Sequence, residues 1–250
     1  MRKNQKKKIR IILLTILVLC IVGSIWYVND YYRSTPEVEE YFKKDGAVKI
    51  TEIDEGLFID GEGTEKAMIF YPGAKVEYTA YVPMLYRLAE SGTDVFLIKM
   101  PCNLAIFGKN KAETILNEYQ YDTWYLGGHS LGGAMAANYL AEHEKDNKIS
   151  GLVLLAAYPT KDLKESNIKV LMLYGTNDGV LNREKVKEGR NYLPDDYVEM
   201  ELTGGNHAKF GCYGTQKGDI VKNADKEISA EEQWDRTVEA INEVIIKEKN

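Results

Sequence analysis

The residues in this chain best suited to covalent chemistry surround Ser130, in the run Gly127-Gly128-His129-Ser130-Leu131-Gly132-Gly133. This is a G-x-S-x-G pattern, and composition alone would produce one in about one chain in ten of this length. Its weight therefore rests on context. Asp122 to Leu126 before it has the aromatic and β-preferring character of a short strand, and Ala134 to His143 after it is a run of strong helix formers. A serine between a strand and a helix is forced into a tight, strained turn. Glycines two before and two after it keep neighbouring backbone clear, and the hydroxyl is pushed outward.

A serine hydroxyl is a weak nucleophile until a base takes its proton, and the usual base is a histidine oriented by a carboxylate. The chain has three histidines. His129 adjoins Ser130, so the turn aims its ring elsewhere. His143 lies at the far end of the following helix, roughly 18 Å away at the usual rise, where a favourable charge near a helix C-terminus accounts for it. His207 remains, in the flexible stretch Gly204-Gly205-Asn206-His207-Ala208 after the last strand. The carboxylate should follow an intervening strand, as Asp178 does in Tyr174-Gly175-Thr176-Asn177-Asp178-Gly179; its N-D-G setting also suits a plain turn. Asp162, Asp195 and Asp196 do not directly follow a buried strand. A tetrahedral intermediate needs oxyanion donors. The expected ones are the backbone N–H of Leu131, at a helix N-terminus, and that of Ala74, after Pro72-Gly73, with Lys75 as the fallback.

The elements that must position these groups follow from the patterning. From Ala67 onward strands alternate with helices, the mark of an α/β fold with a mostly parallel sheet covered on both faces. Expected strands run over Ala67 to Tyr71, Val95 to Met100, Ile149 to Ala156, Lys169 to Tyr174 and Val198 to Leu202. Helices are expected up to Glu90, closed by Gly92, and over Ala112 to Glu118. A terminal helix opens on the capping box Ser229-Ala230-Glu231-Glu232 and buries Trp234, Val238, Ile241 and Ile245. Upstream, Val48 to Ile53 and Leu57 to Asp60 form a hairpin across Asp54-Glu55-Gly56. Ligands in such sheets sit beyond the carboxyl ends of the strands.

The first ten residues hold six basic side chains and no acidic one, and residues 11–28 follow as an uncharged, mostly apolar run. Eighteen helical residues are just enough to cross a bilayer. Val22-Gly23-Ser24 is a poor cleavage site for a secretory signal. An uncleaved signal-anchor is therefore expected, with residues 1–10 held in the cytoplasm by the positive-inside rule and the remainder outside the cell membrane. Residues 29–47 are polar and tyrosine-rich, a stalk with a short helix at Glu37 to Lys43, and 48–250 form the domain. Without its basic end the chain carries 26 basic against 38 acidic side chains. Such a surface repels phosphate backbones, so nucleic acid is not an expected partner.

Taken together, these residues resemble the α/β-hydrolase superfamily, and within it the small bacterial group called hydrolase fold family 5. The resemblance spans about Met68 to Ile241. It rests on Tyr71-Pro72-Gly73, Met100-Pro101 with Asn103-Leu104-Ala105, Gly127 to Gly133, Tyr174 to Asp178, Gly204 to Gly211, Tyr213-Gly214-Thr215-Gln216 and Gly218-Asp219. It implies an alpha/beta-hydrolase fold and a triad of Ser130, Asp178 and His207 in the chain order of that superfamily, with oxyanion donors at Leu131 and Ala74. Pro72-Gly73 replaces the superfamily's common His-Gly opening. The implied activity is carboxylic ester hydrolysis through an acyl-enzyme on a small-molecule or envelope-borne substrate. The alternatives are an acyltransferase using the same triad and a non-catalytic envelope-binding module.

About a dozen residues separate Ala156 from Lys169, too few for an inserted lid domain. An open site is expected, with Ile106, Phe107 and Phe210 lining an apolar groove. Gln216 and Asp219 either contact substrate or fix their own loop. Cys102 and Cys212 both fall in loops on the catalytic side, where a disulfide is permitted. No metal motif and no P-loop occurs, and no cofactor is expected.

Overall fold

The computed structural model describes residues 2–143, 148–219 and 225–247. Met1 and the last three residues of the domain assigned to 48–250 lie outside it. The chain divides into two units, residues 1–31 and 32–250.

The first unit is one helix, α1 (Arg2–Asn29). It starts well before the apolar run because lysine and arginine are good helix formers. Its segment Asn4–Asn29 is long and apolar enough to cross a membrane. Apolar side chains are exposed along it, from Ile12 to Trp26. Such a helix serves as a membrane anchor or as a signal sequence.

The second unit is built on an eight-stranded sheet in the order β1-β2-β4-β3-β5-β6-β7-β8. β1 (Lys49–Ile53) and β2 (Gly56–Asp60) form the expected antiparallel hairpin, and β2 pairs antiparallel with β4 (Asp94–Ile98). All remaining pairings are parallel, through β3 (Lys66–Tyr71), β5 (Thr123–His129), β6 (Ile149–Leu155), β7 (Lys169–Gly175) and β8 (Val198–Leu202). The central strands are mostly apolar, as strands covered on both faces must be. Met68, Ile69, Phe70, Leu126, Leu152, Val153, Leu171 and Met172 are all fully buried.

The helices are α2 (Val38–Phe42), α3 (Val82–Glu90), α4 (Lys111–Glu118), α5 (Leu131–Glu142), α6 (Arg183–Gly189) and α7 (Ala230–Ile241). α6 has no counterpart in the sequence reading, because Arg183-Glu184-Lys185 followed by Lys187-Glu188 leaves only Val186 as a buried apolar residue to mark a face. At the start of α7 the Ser229 hydroxyl accepts from the Glu232 amide at 3.1 Å, the bond a capping box requires.

Residues from Tyr32 to Phe42, within the stretch assigned to a stalk, belong to the folded unit. Tyr32 lies alongside Val76 as an added parallel bridge, Thr35 donates its amide to Cys212, and Val38 is buried. Apolar side chains at every few positions let this polar-looking segment pack.

Candidate active site

Ser130 stands between the end of β5 and the start of α5 with φ 52° and ψ −122°. This left-handed conformation costs a non-glycine residue of order 1–3 kcal/mol and persists only where the surroundings enforce it. The surroundings here are tight. A Cβ on Gly128 would lie 2.6 Å from the backbone of Gly132 and Gly133, and one on Gly132 would lie 2.2 Å from the Tyr71 carbonyl oxygen. Only hydrogen at these positions lets α5 begin directly against the ends of β3 and β5. The Ser130 amide is anchored on the Leu155 carbonyl at 2.9 Å.

His207 and Asp178 meet although 29 positions separate them. Nδ1 of His207 donates to Oδ2 of Asp178 at 2.8 Å. The other carboxylate oxygen accepts the amides of Val180 at 2.9 Å and Leu181 at 2.7 Å. Both side chains are buried. With Nδ1 carrying the proton, Nε2 is the acceptor nitrogen of the ring. His207 shares with Ser130 a cleft of about 350 Å³. Leu131, Met135, Ala156, Tyr158, Val180 and Leu181 contribute to its walls.

Two side chains hold the histidine loop: Gln233, which the sequence did not single out, and Asp219, which it did. The Gln233 side chain accepts the Asn206 amide at 3.0 Å and donates to the Asn206 carbonyl at 2.9 Å, gripping that residue by both backbone groups. Asp219 accepts the amides of His207 at 3.2 Å, Ala208 at 2.8 Å and Gly179 at 3.2 Å, so one carboxylate ties the histidine loop to the aspartate loop. Asp219 thus fixes loops, the second of the two roles open to it in the sequence. Tyr81, which the sequence also passed over, acts elsewhere: its hydroxyl meets Gly73 and His129.

His129 points away from the serine, as its position predicts. Its Nδ1 lies 2.8 Å from the Tyr81 hydroxyl, and its ring packs on His207 with centroids 4.5 Å apart. Burial, reinforced by the adjacent His207, holds its pKa well below the usual histidine range, so the ring is neutral. Burial likewise pushes the Tyr81 phenol up. His143 caps α5, its Nδ1 2.9 Å from the Tyr139 carbonyl.

Leu131 is the first residue of α5 and lines the cleft. The loop carrying Ala74 packs against the same helix start, as the approach of Tyr71 and Pro72 carbonyls to Gly132 requires. In that loop the Gly73 amide goes to the Tyr81 hydroxyl, the Lys75 amide to Asn103 and the Val76 amide to Gly73. Lys75 is thereby committed. Among the described residues, the Ala74 amide has no acceptor.

The expected groove lining needs correction. Phe210 is fully buried behind the site, its ring 5.5 Å from that of His129, so it is a core residue. Ile106 and Phe107 are exposed and border a separate shallow hollow with Lys109 and Lys111. Gln216 accepts from the Tyr213 hydroxyl at 2.9 Å and faces a different, larger cavity of about 570 Å³ that contains neither Ser130 nor His207. Loop aromatics give no periodic signal, so sequence could not separate buried from exposed ones. Cys102 and Cys212 are free thiols, and the Cys212 sulfur lies 3.0 Å from the Thr35 hydroxyl.

Known proteins share this architecture. A protein described as a predicted CIB-like hydrolase from Thermoplasma acidophilum superposes with TM-score 0.59 at 14% identity, over 79% of this chain and 99% of that one. Est1E from Butyrivibrio proteoclasticus gives 0.57 at 12% identity, over 81% of this chain and all of its own. A soluble variant of monoglyceride lipase from Saccharomyces cerevisiae gives 0.55 at 11%, over 83% and 98%. No curated protein matches the sequence. At these identities the superpositions speak to the fold alone. Residues 67–235, however, match the sequence profile described as the Alpha/beta hydrolase family, which covers more than half the chain. The chain therefore belongs to the alpha/beta hydrolase family.

Proposed function

We propose that this protein is a membrane-anchored serine hydrolase that cleaves carboxylic esters through an acyl-enzyme. Family membership supports hydrolysis in general. The observation that carries the finer reading is the Asp178-bonded His207 opening onto the same cleft as a strained Ser130.

In this reading Ser130 Oγ attacks the ester carbonyl carbon while Nε2 of His207 takes its proton. The C=O bond opens to an oxyanion that accepts from the amides of Leu131 and Ala74. Collapse breaks the bond to the alcohol oxygen, which leaves with the proton from Nε2. Water then attacks the acyl-serine, giving its proton to His207, and the carboxylic acid departs as Ser130 regains its hydrogen. Asp178 holds the imidazole in the required tautomer and offsets its charge when it is protonated.

The cleft favours an uncharged acyl group. Its walls are mainly apolar, the Thr160 hydroxyl donates to Asn138, and the Asn182 side-chain oxygen Oδ1 accepts from the Lys185 amide. A charge placed there would lose water without gaining a partner.

Labelling by a fluorophosphonate tests the reading. Wild-type protein is expected to label stoichiometrically and Ser130→Ala not at all; equal labelling of both would refute it. The same acyl-enzyme would transfer its acyl group if an alcohol outcompeted water. Product formed with added alcohol faster than hydrolysis allows would move the assignment to acyl transfer. The anchor reading, with the N-terminus cytoplasmic and the domain outside, predicts that protease added to intact cells degrades the domain. Protection would reverse the orientation.

A further inference from the structure

Behind the cleft a buried hydrogen-bonded chain links the loop of the proposed oxyanion donor to the residue before the nucleophile. The Gly73 amide donates to the Tyr81 hydroxyl at 3.0 Å, and that hydroxyl lies 2.8 Å from Nδ1 of His129. A hydroxyl has a single proton. With the Gly73 N–H donating to the phenol oxygen, the arrangement that uses the Tyr81 proton sends it to Nδ1 and places the His129 proton on Nε2. Nε2 is buried, with the His207 backbone beside it. Tyr81 is fully buried, packed on Phe70 at 5.3 Å, so its hydroxyl cannot exchange this arrangement for water.

The effect on the loop is specific. Pro72 has no N–H, and the amides of Gly73, Lys75 and Val76 are all taken, by Tyr81, Asn103 and Gly73 in turn. Ala74 is left as the loop's unclaimed donor. No side chain fits at position 73, since a Cβ there would lie 2.8 Å from both the Tyr81 oxygen and Nδ1 of His129. We propose that Tyr81 is a positioning residue for the oxyanion site, its hydroxyl fixing Gly73 so that the next amide, Ala74 N–H, stays directed to the developing charge. His129 orients that hydroxyl and, through its ring contact with His207, keeps the donor loop and the base in one rigid block. The inference rests on Ser130 as the nucleophile.

Tyr81→Phe keeps the ring and removes only the hydroxyl. The expected result is a kcat lowered roughly 10- to 100-fold, short of the loss of a whole oxyanion donor. KM should stay within about twofold, and the pH–rate midpoint should not move. Affinity for a boronic acid, which forms a tetrahedral adduct on the serine, should fall by the same factor as kcat. A merely structural role would lower thermal stability without this match between kcat and adduct affinity. Unchanged kcat overturns the proposal, as does a loss accompanied by a shifted pH profile, which would trace the effect to His207. Should Tyr81→Phe not fold, His129→Phe removes the acceptor of the hydroxyl. It is then expected to lower kcat at least threefold at constant KM, and a wild-type kcat would overturn the proposal equally. If Ser130→Ala retains the wild-type rate, the nucleophile assignment itself fails. If Ser130→Ala is inactive and Tyr81→Phe is unimpaired, only the role of Tyr81 falls.

Discussion

Asp219 accepts backbone amides from both His207 and Gly179, the latter directly following Asp178, so a single carboxylate joins the two loops that carry the proposed base and its orienting acid. The 2.8 Å bond between His207 and Asp178 therefore does not rest on those two side chains alone.

Removing this tie should loosen the base. Asp219→Ala leaves three amides without their acceptor, and the expected outcome is a stability loss of about 1–3 kcal/mol with kcat lowered more than KM is raised. Urea unfolding and steady-state kinetics on a short-chain ester measure both. A variant of full activity would mean that the loops hold their places without the carboxylate.

Asp178→Asn tests the orienting role directly. The amide can offer its NH2 where the carboxylate accepted, forcing His207 into the wrong tautomer, and a loss of about 10⁴-fold in kcat is expected by analogy with other triads. A loss under tenfold would assign the orienting carboxylate elsewhere.

His129 gives a pH dependence of known sign. Its folded pKa is depressed by burial, so below the ordinary value near 6.5 the unfolded chain binds a proton that the folded chain refuses. Stability is complete above that pH and falls as the pH drops toward the folded pKa, by up to about 1.4 kcal/mol per pH unit for one proton. Denaturant unfolding between pH 7 and pH 5 should show a shallower fall for His129→Gln than for wild type. Parallel curves would show that His129 accepts its proton in the fold.

The φ of 52° at Ser130 predicts a separation of stability from activity. Both Ser130→Ala and Ser130→Gly should be inactive, yet the glycine variant should be the more stable by about 1 kcal/mol, since only glycine tolerates this backbone without strain. Equal melting temperatures would argue against stored strain at the turn.

Deleting residues 1–31 removes only the first unit. The shortened protein is expected to partition into the aqueous phase and to label at Ser130 at the full-length rate. Loss of labelling with the fold retained would give the helix a part in the site.

The amino-acid sequence by itself determined which chemistry was available and where the main elements lie. The glycine pattern at the Ser130 turn, the apolar central strands and the small number of histidines are local or compositional signals, and each survives without knowledge of what packs on what. Tertiary structure alone decided the rest. Tyr81, Gln233 and Asp219 act on backbone groups 8, 27 and 12 positions away, contacts that leave no periodicity to detect. Phe210 and Phe107 are both loop aromatics, yet one is buried against His129 and the other exposed, because burial depends on the neighbours that the fold supplies. The same holds for Tyr32 to Phe42, polar in composition but held by residues far along the chain. The candidate nucleophile is written in a heptapeptide, while the proposed meeting of Ser130 with His207, Asp178 and the amides of Leu131 and Ala74 depends on how distant segments come together at one end of a parallel sheet.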